Sequence, residues 1–183
     1  SQTRDPAYFR QRLQLEEDLF QQTTRAGGRS TADILERLVG TMDTAYTATR
    51  LKYSCELLNR QNVLSDATVL PAADAFVASI DAEQIAQEPA LSAYYHIYYS
   101  LAEGAPQEHH FKKLKEVLDQ HSHRFSDQEL RDIFVFAQNF CIRQINMGHL
   151  QYLEELYATY LVLLDRGLLL DNGTIAQFHF KNI

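Results

Sequence analysis

A chain of 183 residues, 45% hydrophobic and 22% charged, is long enough for one domain with a real core and lies far from the composition of disordered proteins. Its 24 acidic and 17 basic side chains give a net charge of −7, a balance that disfavours nucleic acid as a partner because neutralising phosphate needs a basic face. No apolar run approaches the roughly 18–20 residues that cross a bilayer, so no membrane is expected, and no basic-then-apolar leader is present. The chain begins at Ser1 rather than Met, which leaves a removed leader open.

Short turns at Arg25-Ala-Gly-Gly-Arg29, Glu103-Gly-Ala-Pro106, Met147-Gly-His149 and Arg166-Gly167 separate segments of helical apolar spacing, with almost no strand signal. Asp5 as cap and Pro6 at the first helical position predict a first helix. It carries Phe9, Leu13 and Phe20 inward, with Leu19 beside them, and stops at Gly27-Gly28. Ser30 with Asp33 three residues on approximates a capping box and opens a second helix that runs to about Asn59. Its first half has one stripe, Leu35, Leu38, Val39 and Met42. Beyond Thr44 there are two: Ala45, Tyr46, Thr49 and Tyr53 on one side, Ala48, Leu51, Cys55 and Leu58 on another. That half is expected to be covered on two sides, as an inner helix of a stack is.

Pro71 predicts a third helix reaching Gln87, and Pro89 a fourth that carries Leu91, the four tyrosines from Tyr94 to Tyr99, and Leu101. Gly104 ends it. Pro106 opens a fifth helix with Phe111, Leu114, Val117 and Leu118 inward. Ser126-Asp-Gln-Glu129 is a capping box for a sixth, which points Leu130, Ile133, Phe134, Ala137, Cys141 and Ile145 to the core. After the Gly148 turn, a seventh is expected to bury Leu150, Leu153, Leu156, Tyr157, Tyr160, Leu161 and Leu164. Beyond Asp171-Asn-Gly173 a helical pattern restarts at Ile175, Phe178, Phe180 and Ile183. The chain is thus read as a single all-helical, repeat-like domain over 1–183, cut within a repeat at its C-terminal end. The segment from Ile175 to Ile183 is a candidate surface for self-association.

These elements predict an all-α fold of about seven helices, paired as antiparallel hairpins and stacked into a short α-solenoid. Hairpins follow one another at roughly 37 to 47 residues, a solenoid-like but irregular spacing, and a closed bundle is the competing architecture. The stretch from Phe134 to Ile183 contains an apolar helix, the Ile145-Asn-Met-Gly148 turn, Tyr152-Leu-Glu-Glu-Leu-Tyr157, and Leu163-Leu-Asp-Arg-Gly-Leu168 before a new start. It resembles the hairpins of tetratricopeptide and pentatricopeptide repeat proteins, with Arg-Gly-Leu and Phe180-Lys-Asn-Ile183 as the more pentatricopeptide-like part. Arg50-Leu-Lys-Tyr53 with Cys55-Glu-Leu-Leu-Asn-Arg-Gln-Asn62 is similar to uncharacterised repeat-containing bacterial proteins, for which no activity is implied. The resemblance covers the C-terminal third best. It implies a right-handed, tetratricopeptide-like superhelix of hairpins with a concave partner-binding face. Because the consensus positions are not reproduced in register, neither peptide-clamp nor base-reading residues carry over.

Catalytic equipment is not recognisable. The histidine pairs His109-His110 and His121-Ser-His123 do not place both rings on one helical face, and no His-Glu-x-x-His or paired-cysteine motif supplies the three or four ligands zinc requires. No Gly-x-Ser-x-Gly elbow is present, and Gly27-Gly28 is not followed by the Lys-Ser or Lys-Thr of a phosphate loop. The expectation is therefore no enzyme, no metal and no cofactor. Cys55 and Cys141 fall on apolar stripes and read as buried thiols in a reducing cytoplasm. Tyrosine is the side chain that stands out: Tyr94, Tyr95, Tyr98 and Tyr99 make two i,i+4 pairs, and Tyr46 and Tyr53 lie seven apart with Arg50 and Lys52 beside them. Packing at the solvent edge accounts for such stripes; so does a groove in which a partner segment docks, because tyrosine anchors interfaces at low entropic cost. The functional expectation is a non-enzymatic scaffold that binds a protein or peptide, with partner-binding residues Tyr46, Arg50, Tyr53, Tyr94, Tyr95, Tyr98 and Tyr99. Single-stranded RNA binding of the pentatricopeptide kind is the alternative.

Overall fold

The computed structural model describes residues 6–26, 31–64, 71–171 and 174–175. Among them are eight α-helices: α1 (Pro6–Arg25), α2 (Ala32–Leu64), α3 (Pro71–Ala78), α4 (Ala82–Gln87), α5 (Pro89–Leu101), α6 (Gln107–His121), α7 (Asp127–Asn146) and α8 (Tyr152–Asp165). A 3-10 turn at Ser122–Arg124 follows α6, and a two-residue antiparallel ladder, β1 (Leu170–Asp171) with β2 (Thr174–Ile175), follows α8. The fold class is all-α. The expected caps at Asp5 and Ser30, the stop at Gly27-Gly28, and Phe178, Phe180 and Ile183 lie outside the described residues.

Two expectations are corrected by the backbone. The helix foreseen from Pro71 to Gln87 is broken at Ser79-Ile80-Asp81, which separates α3 from α4. The Ser79 hydroxyl donates to the Phe76 carbonyl at 2.7 Å, and the Asp81 carbonyl starts the next helix by accepting from Ile85 N–H. A serine hydroxyl competes for backbone groups in this way, which helps to end α3, while Asp81 stands at the N-cap of α4 without a side-chain cap bond. At the start of the helical restart expected after Gly173, Ile175 pairs instead with Leu170, and Thr174 with Asp171, in an antiparallel ladder; the rest of that restart lies outside the described residues.

The chain forms two compact units, 1–126 and 127–183. In the first, α1 packs on α2, α2 on α5, α5 on α6, and the short α4 against α5. The long α2 thus has both α1 and α5 as neighbours, but the stripe beyond Thr44 that holds Tyr46 and Tyr53 is not covered as expected, since both rings are exposed. The buried face of α2 is made of small side chains, Thr41, Ala45, Ala48 and Ser54, completed by Leu51 and Cys55. That reverses the expectation for its first half: Leu35, Val39 and Met42 are exposed and Leu38 is half-buried. The core is centred on α5, where Leu91, Tyr94, Ile97, Tyr98 and Leu101 meet Phe111, Leu114 and Leu118 of α6 within one buried set. Asn62 Nδ2 donates to the Leu101 carbonyl at 3.0 Å, and Cys55 Sγ to that of Tyr94 at 3.2 Å, so α2 is tied to α5 at both points.

In the second unit α7 and α8 form a helical hairpin. Gly148 has φ +92°, and the bonds His149 N–H to Gln144 O (3.0 Å) and Gly148 N–H to Ile145 O (2.8 Å) close α7 in a Schellman motif. Gly167, at φ +67°, closes α8 the same way through Leu168 N–H to Leu163 O (2.8 Å) and Gly167 N–H to Leu164 O (2.9 Å). Leu163 and Leu168 are both buried, which supplies the apolar contact that accompanies this cap. Arg131 Nε donates to the Leu168 carbonyl at 2.9 Å and ties α7 to the segment beyond α8. On α7 the expected inward residues Leu130, Ile133, Phe134, Ala137 and Cys141 are buried, and Ile145 is half-buried. On α8 the expectation is overturned: Tyr152, Thr159 and Leu163 face inward, while Leu150, Leu153, Tyr157, Leu161 and Leu164 are exposed.

Candidate functional site

On α2 the residues Leu35, Val39, Met42, Tyr46 and Tyr53 recur at multiples of three to four and fall on one helical face. All five are exposed, Tyr46 at 60% and Tyr53 at 62%. One helix has therefore turned its small side chains inward and its large apolar ones to solvent. A stripe of this kind, longer than the scattered apolar residues of ordinary surfaces, is a candidate contact face.

At its C-terminal end the stripe meets a groove of about 780 Å³ lined by Arg50, Lys52, Tyr53, Ser54, Glu56, Leu57, Arg60 and Ala73. Arg50 is fixed there by aromatic neighbours. Its Nη1 donates to the Tyr46 hydroxyl at 2.8 Å, and its guanidinium carbon lies 4.0 Å from the centroid of Phe76 on α3. Tyr46 and Phe76 meet edge to face with centroids 6.4 Å apart. Stacking of guanidinium on rings leaves most of its N–H donors unspent. The α2 spacing places Arg50, Tyr53, Leu57 and Arg60 along one strip, with a cation at either end and apolar surface between.

The four α5 tyrosines are divided. Tyr94 is 0% exposed, and Tyr98 is buried with its hydroxyl donating to Asp74 Oδ1, so neither presents a surface to a partner. Burial, then the bond to Asp74, pushes the Tyr98 phenol well up. Tyr95 and Tyr99 are half-buried, stack edge to face at 4.9 Å, and join an aromatic cluster with His96 and His110. The structure thus brings Tyr46, Arg50 and Tyr53 together and puts Tyr95 and Tyr99 in a separate cluster.

That cluster contains a feature the sequence spacing concealed. His96 on α5 and His110 on α6 approach Nδ1 to Nδ1 at 2.9 Å, so one ring donates and the other accepts. Burial, followed by the neighbouring His110, His109 and Lys113, lowers His96 to about 4, while Glu116 acts in the opposite sense. Burial and His109 also lower His110. Neutral rings in a shared hydrogen bond are a packing device between α5 and α6. Among the described residues no group of three or more His, Cys, Asp or Glu side chains is placed to hold a metal ion. Cys55 and Cys141 are both buried and neither is in a disulfide, and burial raises the Cys55 thiol well above its ordinary value, which disfavours the nucleophilic thiolate.

Sequence reasoning missed Phe76, Leu57 and Arg60. For the last two a signal existed, since they follow Arg50 by seven and ten residues on the same helix face. Phe76 reaches the site from another helix, and nothing local announces it. No helix among the described residues is long and apolar enough to cross a membrane. Comparison with protein-family models, curated proteins and solved structures gives no match to this chain.

Proposed function

We propose that this chain is a non-enzymatic protein-interaction module, a tetratricopeptide-like scaffold of stacked helical hairpins that binds a protein or peptide along the outer face of α2. The observation that carries this reading is the continuous exposed stripe Leu35, Val39, Met42, Tyr46 and Tyr53, which runs into a groove where Arg50 is held between aromatic rings. Aromatic and arginine side chains set in a concave apolar surface are the composition of interface anchors. The pairwise packing of α1, α2, α5 and α6 supports the stacked-hairpin part of the proposal. Two buried cysteines outside any disulfide support a reducing, cytoplasmic setting.

The test is affinity capture from the source lysate with and without RNase, comparing the wild-type chain with a Met42→Ser/Tyr53→Ser double variant. Both positions are exposed, so helicity by circular dichroism should be unchanged. Partners that survive RNase and are lost with the variant are the expected result. Capture that the variant retains in full overturns the α2 reading, and capture that collapses with RNase favours single-stranded RNA instead.

A further inference from the structure

We propose that the groove at the C-terminal half of α2 recognises an acidic peptide segment, in which two carboxylates bracket an apolar side chain. The inference rests on the α2 reading above and adds the chemistry of the partner. Its basis is a local reversal of charge. The chain as a whole carries −7, yet Arg50, Lys52 and Arg60 line this groove against a single acid, Glu56. Arg50 spends one donor on the Tyr46 hydroxyl and stacks on Phe76, and it forms no ion pair with a carboxylate among the described residues. Arg60 is exposed and likewise makes no ion pair among them. In an acidic protein, where carboxylates outnumber cations, two arginines on one strip without a carboxylate partner among the described residues form a site for an anion supplied from outside.

Geometry sets the spacing of that anion. Arg50 and Arg60 are ten residues apart on α2, about 15 Å along the helix axis at the usual rise. An extended strand covers that distance in about four to five residues, with alternate side chains on one side. The matching ligand is therefore Glu-x-Leu-x-Glu, its leucine over Tyr53 and Leu57 and its glutamates at the two arginines. Arginine suits this role because its planar fork meets a carboxylate bidentately. An RNA strand fits less well. Its evenly spaced phosphates would pass Glu56, and the largely apolar floor between the cations offers one exposed ring, Tyr53, for stacking.

The experiment is an NMR titration of the full chain, labelled with ¹⁵N, against three probes. These are a capped Gly-Ser-Glu-Ser-Leu-Ser-Glu-Ser-Gly peptide, the same peptide with lysine for both glutamates, and a single-stranded oligouridylate of similar length. The expected result is shifts confined to residues 46–60 and 73–76 with the acidic peptide alone, weakening several-fold as salt is raised from low to moderate concentration. Arg50→Gln/Arg60→Gln should lower that affinity about tenfold or more. Shifts of equal size with the lysine peptide, or tighter binding of oligouridylate, overturn the proposal. So does lysate capture that is lost in Met42→Ser/Tyr53→Ser but unaffected by Arg50→Gln/Arg60→Gln. That last result leaves the interaction-module reading standing and removes only the acidic partner; capture retained in both variants removes the two together.

Discussion

At the scale of single residues, the His96–His110 pair makes stability depend on pH in a defined window. His96 titrates near 4 in the folded chain, below its ordinary 6.5, so between those values the unfolded chain takes up the proton more readily. Stability from this ring is complete above about pH 6.5, declines as pH falls towards 4, and is constant below that. The titratable and charged groups that act on it are His109, His110, Lys113 and Glu116 from α6. A shift of this size in a fully buried ring would be worth about 3 kcal/mol, and partial exposure reduces it to about 1 kcal/mol. His96→Leu should flatten the fall of Tm between pH 7 and 4.5. A second residue stands out by its burial: Gln138 is 1% exposed, and neither atom of its amide finds a partner among the described residues. An unsatisfied buried amide costs about 1–3 kcal/mol, so Gln138→Leu is expected to raise Tm, with urea denaturation as the check. Neither feature was legible in the sequence. The His96–His110 contact joins two helices, and Gln138 sits within an apolar stripe whose pattern gives no warning of an unmet amide.

Helix existence, by contrast, was written locally. Pro6, Pro71 and Pro89 each stand at the first position of a helix, and Gly148 and Gly167 close two others in the left-handed conformation. An added Cβ at Gly148 or Gly167 meets nothing within 4 Å, so the cost of replacement is conformational alone. Gly148→Ala should destabilise the second unit by about 1 kcal/mol, read from chemical denaturation. Which face a helix buries was legible on α7, but not on the first half of α2 or on α8, where a single stripe was read and another face is buried. There the choice depends on the neighbour's shape. Small residues won on α2, and the Tyr152, Thr159, Leu163 side won on α8. The contrast is measurable: Leu163→Ala should cost about 3 kcal/mol, and Leu153→Ala on the exposed side close to nothing.

At the scale of the whole molecule, helical content follows from caps and periodicity, whereas the order of packing follows from contacts between residues far apart in sequence, such as Asn62 with Leu101. The same division holds at the candidate site. Tyr46, Arg50 and Tyr53 were legible because one helix carries them, and Phe76 was not. The two cysteines give this architecture a built-in clock. One lies in each compact unit, both are shut away from solvent, and the chain has no other thiol. A thiol reagent can therefore reach Cys55 or Cys141 only when the unit around it opens, and its rate of attack counts those openings. Leu163→Ala should quicken the labelling of Cys141 and leave that of Cys55 at its wild-type pace, if each unit breathes on its own. Equal acceleration at both would mean that the two units open as one.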